Sequence, residues 1–284
     1  MPSPLRVAQT HLKMLEQCPR LFQHRVLDQL SPPVPPAEQE RLQQGQQFHL
    51  ILQQWLLDLP VQPIVAAEPH LEARFQAFQA AADTIVAPGT RLPEHDRSLL
   101  WGDYLLMGRY DLLVLGADYA HILDWKTYAQ PRQPADLIRH WQTRLYCFLL
   151  AETSAYPPEA IALIYWFFQP DATDSPARSQ PQSQVIPYSQ PQHEATRQDL
   201  SRLLTQLTAW LAAYQDGEAF PQIPVGSQRC ATCAFGRHCG REAVASAADP
   251  SPNRMFDNGL ERRDHREGDR RSIPAFEDIA ELPL

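Results

Sequence analysis

The 284-residue sequence predicts an α/β chain of the α+β kind, with a central mixed sheet flanked by helices. Three observations predict it. Apolar residues recur at three-to-four spacing before about residue 85, and again after residues 134 and 193. From about Leu92 to Tyr128 the period drops to two. The turn signals Gly102-Asp103 and Gly116-Ala117-Asp118 divide that stretch into an antiparallel meander of three or four strands. Ile161 to Phe168 is apolar at successive positions, which suits a strand covered on both faces.

The elements follow in order. Residues 9 to 30 read as one helix, because Leu12, Leu15, Leu21, Phe22 and Val26 keep helical spacing, with Thr10 placed to cap its start. A proline-rich joint runs from Ser31 to Pro36. A second helix is expected from about Ala37 to Leu59, with Leu42, Phe48, Leu52, Trp55 and Leu56 on its apolar side and His49 in its middle. A third covers about Leu71 to Ile85. After the meander, a helix is expected from about Pro134 to Ser154, and then the strand Ile161 to Phe168. Residues 170 to 184 are rich in Pro, Ser and Gln and read as a loop. Val185 to Tyr188 reads as a short strand, and about His193 to Tyr214 as a long helix. Beyond about Ala247 the hydrophobic periodicity disappears, and a mixed charge run occupies residues 257 to 272, so a disordered tail is expected.

Bulk composition excludes several classes. Hydrophobic residues make up 44% of the chain, enough for a core, yet no apolar run reaches the roughly 18–20 residues of a membrane span. No signal peptide is legible, so a cytoplasmic protein is expected, with no membrane partner. In a reducing compartment, cysteines are metal ligands or buried thiols more often than disulfides. The net charge of −8 argues against coating nucleic acid by bulk charge. A local basic groove remains open, with Arg109, Lys126, Arg132, Arg139, His140 and Arg144 as candidates, although any of them can equally be a solvated surface charge.

The chemistry-bearing residues lie on the meander and its neighbours. Asp124 and Lys126 sit two apart on one strand, hence on one face. Antiparallel pairing can bring Asp111 beside Asp124. Two such carboxylates repel unless a cation lies between them, and Mg2+ or Mn2+ suits an oxygen-rich site. The Trp125 carbonyl can also point at that cation. Lys126 would then orient a water or stabilise a phosphate in its transition state. The competing reading is an exposed salt-bridged pair. Gln142 and Tyr146 are four apart on the following helix, and so share a face. They can contact a nucleic-acid backbone or orient the lysine and metal ligands, or be a half-buried polar pair. His49 can be a ligand or a satisfied core histidine.

The order of these residues resembles the RecB-type branch of the PD-(D/E)XK nuclease superfamily. The motifs are Gly45-Gln46-Gln47-Phe48-His49, Gly108-Arg109-Tyr110-Asp111, Leu123-Asp124-Trp125-Lys126-Thr127 and Gln142-Thr143-Arg144-Leu145-Tyr146. The resemblance implies a restriction-endonuclease-like core and a divalent-metal-dependent phosphodiester hydrolase. It implies His49, Asp111 and Asp124 as metal ligands, Lys126 as the catalytic lysine, and Gln142 and Tyr146 as an auxiliary pair. Glu94 matches the acidic residue of the first core strand, with Glu68 as its competitor.

Cys230 and Cys233 form a chelating pair, and Cys239 follows. Thiolates at these spacings suit zinc or an iron–sulfur cluster. Cys18 completes the set only if the two ends of the chain meet. Otherwise a local knuckle of Cys230, Cys233, His238 and Cys239 is available, or free thiols. The stretch Cys18-Pro19-Arg20-Leu21-Phe22 and the Phe220-Pro221 pair are similar to iron–sulfur members of the same branch, among them AddB-type subunits and exonucleases of CRISPR adaptation. That resemblance implies a [4Fe-4S] cluster held by Cys18, Cys230, Cys233 and Cys239, joining the termini, with Zn2+ as the alternative metal. Cys147 is left as a core thiol.

The segments expected are 1–60, helical, with Cys18 and His49; 61–220, the nuclease core; 221–246, the cysteine segment; and 247–284, the tail. No P-loop of the G-x-x-x-x-G-K-[ST] type is present, so no fused motor of that kind is expected. The expected function is a DNA nuclease, a single-strand exonuclease of repair, recombination or defence. Its partners would be single-stranded DNA or free DNA ends, and a helicase or other repair or defence protein. A catalytically silent nucleic-acid-binding or scaffold module of the same fold is the alternative.

Overall fold

The computed structural model describes residues 4–127, 134–168 and 181–241. The expectations for Tyr128, Arg132 and the tail from residue 247, and most of those for the 170–184 loop, lie outside the described residues.

The chain begins with a strand that the sequence pattern did not reveal, β1 (Leu5–Val7). Its three residues are too few to show a period. The helix expected over 9–30 is broken. It runs as α1 (Gln9–Gln17), α2 (Pro19–Phe22) and a π-helical turn over Gln23–Leu27. The break is at Cys18, which is extended at φ −166° and ψ 111° because the ring of Pro19 disfavours helical geometry in the residue before it. Ala8, rather than Thr10, precedes the first helical turn. Its N–H is accepted by His11 Nδ1 at 3.1 Å, so an imidazole takes the place of a capping carboxylate.

Two long helices follow, α3 (Pro36–Leu56) and α5 (Pro69–Ile85), with the short α4 (Gln62–Val65) between them. The meander is β2 (Thr90–Trp101), β3 (Tyr104–Leu115) and β4 (Ala120–Lys126), antiparallel as the turn signals require. Gly102 takes φ +59° in the two-residue turn between Trp101 and Tyr104, a value glycine adopts without strain. The helix expected over 134–154 is divided at His140, which is extended (ψ 137°), into α6 (Pro134–Arg139) and α7 (Trp141–Glu152). These two helices carry the crossover to β5 (Ile161–Phe167), which pairs parallel to β4. Next, β6 (Gln182–Pro187) starts three residues before the expected Val185, and α8 (Gln190–Gln215) three before His193. The short α9 (Gln228–Ala231) carries Cys230.

Among the described residues the sheet is mixed and six-stranded, ordered β1-β3-β4-β5-β6, with β2 along the other edge of β3. Strands β1 and β4 therefore share one edge of β3. The first pairs with Tyr104 to Leu106 and the second with Leu112 to Leu115. One face of the sheet, with Leu112, Val114, Leu123, Trp125 and Trp166, packs on Phe48, Ile51 and Leu52 of α3 and Phe75 and Phe78 of α5. The opposite face, with Leu113, Ile122, Leu163 and Phe167, packs on Tyr146, Cys147 and Leu150 of α7. A third cluster joins Val7, Leu12, Leu15 and Phe22 near the N-terminus to Leu200, Leu204, Leu207 and Phe220. Non-directional burial of this kind ties the chain's N-terminal segment to its C-terminal one.

Candidate active site at the fork between two strands

The site forms where β3 and β4 part. Their ladder ends at Leu112↔Leu123, and one step further brings Asp111 opposite Asp124. On the other edge of β3 the ladder pairs Pro93 with Leu112 and His95 with Tyr110, so Glu94 is opposite Asp111. Three carboxylates thus stand in one row across three strands. Glu94 has φ +46°, a left-handed value that costs a non-glycine residue energy in mid-strand. Side-chain alternation on β3 reverses at the same row. Leu106 and Tyr110 face the α7 side, while beyond Asp111 it is Leu113, not Leu112, that does so.

At the fork the Trp125 backbone has no strand partner on the β3 side, and side chains replace one. Its N–H donates to Asp111 Oδ2 at 2.6 Å, and its carbonyl lies 3.0 Å from His49 Nε2. The other ring nitrogen, Nδ1, is 3.2 Å from Asp111 Oδ1. Helix α3 carries His49 there, with Gly45, one turn earlier, beside Thr127; a Cβ at Gly45 would make an ordinary contact with Thr127 Oγ1 at 3.4 Å. Donor atoms of His49, Glu94 and Asp111 converge within 4.8 Å of one another, a spacing that fits a single cation. Glu68, the competing acid, instead precedes the first turn of α5 and is outside this trio.

Asp124 and Lys126 lie on the α7 face of β4, and both are buried. Lys126 Nζ is 2.8 Å from Asp124 Oδ2 and donates to Gln142 Oε1 at 3.1 Å, while Gln142 Nε2 donates to Asp124 Oδ1 at 2.6 Å. One amide thus holds both ends of the ion pair. Two residues that the sequence pattern did not single out, Tyr165 and Thr143, support it. Tyr165, beside Asp124 on β5, bonds Thr143 Oγ1 at 2.8 Å and reaches Gln142 Oε1 at 3.5 Å, and Lys126 Nζ lies 5.4 Å from the centre of its ring. The available signal was a tyrosine hydroxyl inside an otherwise apolar strand, since such a group needs a partner.

Tyr146 lies one turn after Gln142 on α7, behind the strand of Asp111. It is fully buried, 5.1 Å from the Tyr110 ring, and Tyr110 OH donates to its carbonyl at 2.9 Å. A Cβ on Gly108 would stand 3.0 Å from the Tyr146 ring, so the glycine lets β3 pass. Tyr146 supports the strand that carries Asp111 and presents no surface to a nucleic acid. Four of the basic-groove candidates have carboxylate partners, exposed or buried. Arg109 pairs with Asp96 (2.8 Å), Arg139 with Asp136 (2.9 Å) and Arg144 with Asp199 (2.6 Å), while Lys126 belongs to the buried network.

The electrostatics favour positive charge at the fork. Burial lowers the His49 pKa, but the charge and hydrogen bond of Asp111, with Asp124, outweigh that and raise it to about 9. Burial and then the Asp111 charge push Glu94 up to about 7. Asp124 is raised by burial, with Lys126 opposing and Asp111 adding.

The sequence model of the PD-(D/E)XK nuclease superfamily matches residues 6–89 and 66–240, most of the chain and all of this site. The chain belongs to that superfamily. The chain also aligns with a solved structure from Eubacterium rectale, provisionally assigned as an exonuclease, at 11% identity over 89% of this chain and 90% of that one, with a TM-score of 0.49. The structure of SSO0001 aligns at 13% identity over 86% and 90% of the two chains, with a TM-score of 0.39. Among curated proteins no match is found. No helix among the described residues is long and apolar enough to cross a membrane.

The fold also brings the two cysteine-bearing segments together. Arg20 N donates to Pro221 O at 3.1 Å, Arg20 Nε to Phe220 O at 2.6 Å, and the Phe22 and Phe220 rings stack at 6.1 Å. None of the five cysteines is in a disulfide. Burial raises the Cys239 thiol first, followed by the charges of Cys233 and Cys18, so Cys18 lies within electrostatic reach of the C-terminal cysteines. Cys147 is buried in the core, and burial raises its thiol.

Proposed function

We propose that the protein is a divalent-metal-dependent deoxyribonuclease of the RecB-type branch, acting as an exonuclease on single-stranded DNA ends. The observation that carries this is the convergence of His49, Glu94 and Asp111 donors within 4.8 Å beside the Asp124–Lys126–Gln142 network. The donor set fits Mg2+ or Mn2+, with one imidazole and otherwise carboxylate oxygens. His49, Glu94 and Asp111 would hold the cation, and Asp124, next in the row, would complete the set. When bound, the cation supplies Lewis-acid polarisation of a phosphate oxygen and makes a water acidic. The chain's own residues do the rest. Lys126, anchored by Gln142 and Asp124, presents a fixed ammonium where negative charge grows on the phosphate or its attacking water. Gln142 keeps the lysine in place, Tyr165 and Thr143 hold Gln142, and Tyr146 fixes β3.

Four thiols from the two ends of the chain, Cys18, Cys230, Cys233 and Cys239, fit a metal group with four thiolate ligands. A [4Fe-4S] cluster is assigned to them, with the segments as read above: helical N-terminal part, nuclease core and cysteine clasp. Its role is to close the termini over the core, in a cytoplasmic protein that works with repair or defence partners.

End-labelled single-stranded DNA incubated with Mg2+ or Mn2+ tests the reading, with a closed single-stranded circle as the second substrate. Loss of label from linear strands, an intact circle and an inactive Lys126→Ala variant are expected. Cleavage by Lys126→Ala at the wild-type rate overturns the site, and rapid cutting of the circle overturns the exonuclease mode. Metal analysis of anaerobically purified protein distinguishes iron with sulfide from zinc.

A further inference from the structure

Beyond the four cysteines, one buried side chain is aimed at the sulfur of Cys239. His24 lies in the π-helical turn that follows α2 and is 3% exposed. Its Nε2 is 3.5 Å from Cys239 Sγ, and its Nδ1 is 3.0 Å from Asp28 Oδ2. Asp28 is held in turn. Gln23 Nε2 donates to Oδ2 at 3.2 Å, and Tyr214 OH, from α8, donates to Oδ1 at 2.7 Å. Burial works against the Asp28 charge, yet hydrogen bonds from Tyr214, His24 and Gln23 hold its carboxyl below the usual range. The ring itself is clamped between Phe235 at 5.1 Å and His238 at 4.8 Å. Both nitrogens of His24 are therefore committed, one to a carboxylate and the other to the Cys239 sulfur. Packing alone would need neither.

We propose that the Asp28–His24 pair positions an imidazole N–H against the Cys239 sulfur and thereby sets the reduction potential of the cluster. This rests on the [4Fe-4S] reading above. A carboxylate accepts only, so Nδ1 is a donor. A ligating cysteine is a thiolate, and Nε2 is attracted to it only as a second donor. A hydrogen bond to a cluster sulfur draws electron density away and favours the reduced cluster, so it raises the potential. The charge of Arg20 also acts on Cys239, and it is unchanged in the variants below.

The test is a redox titration of the anaerobically purified full-length protein, followed by visible absorption and electron paramagnetic resonance. His24→Phe should retain iron and shift the midpoint to more negative potential. His24→Gln, which regains one amide N–H, should recover part of the shift. Asp28→Asn keeps the ring but removes the carboxylate that makes it a double donor, and should shift the same way. An unchanged midpoint in iron-loaded His24→Phe or Asp28→Asn overturns the proposal. Loss of iron from both variants also overturns it, in favour of a purely structural contact. A wild-type protein without iron overturns the cluster reading itself, and this inference falls with it.

Discussion

The Trp125 amide donates to the Asp111 carboxylate at 2.6 Å across the point where their strands part. The same carboxylate also contributes a donor to the His49–Glu94–Asp111 trio. Asp111 therefore has two separable roles. Asp111→Asn keeps an acceptor for the amide but removes the charge beside His49 and Glu94, and should be less destabilised than Asp111→Ala while losing cleavage. Asp111→Ala leaves a shielded N–H without its partner and should cost about 1–3 kcal/mol as well. Denaturant titration beside the cleavage assay checks both, and equal stability of the two variants would refute the split.

Lys126 and Gln142 form the second predictable pair. Removing Lys126 Nζ takes away a preorganised charge, and Lys126→Ala should lower kcat by about 10²-fold or more with DNA affinity little changed. Gln142→Ala leaves the ion pair but frees it to move, so its loss should be smaller, on the order of 10-fold. Single-turnover rates measure both. A larger loss in Gln142→Ala than in Lys126→Ala would contradict the assigned roles.

The trio also predicts a pH dependence. His49 (raised to about 9) and Glu94 (raised to about 7) both bind protons more tightly in the folded, metal-free protein than in the unfolded chain. Their contribution to stability is fully present at low pH. It is lost as pH rises, first through about 7 for Glu94 and then through about 9 for His49. A cation needs these donors deprotonated, so its affinity moves the opposite way. The Mn2+-induced rise in Tm should grow from about pH 6 to about pH 9, and a constant rise would rule out the assigned donors.

Gly108 gives a prediction from packing alone. Gly108→Ala brings a Cβ to 3.0 Å from the buried Tyr146 ring and 3.1 Å from Leu149, so these side chains or the strand that carries Asp111 must shift by a few tenths of an ångström. A cost of about 1–3 kcal/mol is expected, with reduced cleavage. Adding Tyr146→Leu should recover part of the stability. Thermal melts of the single and double variants decide it.

Cys18→Ser separates a shared metal group from a local one. The contacts Arg20–Pro221 and Phe22–Phe220 already join the two ends, so the variant should fold, lose the metal and melt at a lower temperature. Full metal content in Cys18→Ser would instead place the group on Cys230, Cys233, Cys239 and His238.

Much of this was legible from local pattern. Period-two alternation and two glycine turns marked the meander, the doubly apolar run marked β5, and D-x-K spacing placed Asp124 and Lys126 on one face. Other features depend on contacts between residues far apart in sequence. The placement of Glu94 rather than Glu68 beside Asp111 follows from the β2–β3 register. Helix breaks at Cys18 and His140 were invisible to hydrophobic spacing, which continues through them, although Pro19 was a signal for the first.

The sequence by itself determined the alternating and helical segments, the residues with the chemistry for a phosphodiester site, and the candidacy of four cysteines for one metal group. It could do so because side-chain chemistry and the periods of helix and strand are local properties. Only the tertiary structure decided that β3 and β4 fork at Asp111 and Asp124, that His49 reaches the fork, that Tyr146 is a buried prop, and that His24 faces Cys239. Each of these depends on where separate elements pack, and burial, which drives that packing, carries no record along the chain of which partner it will bring.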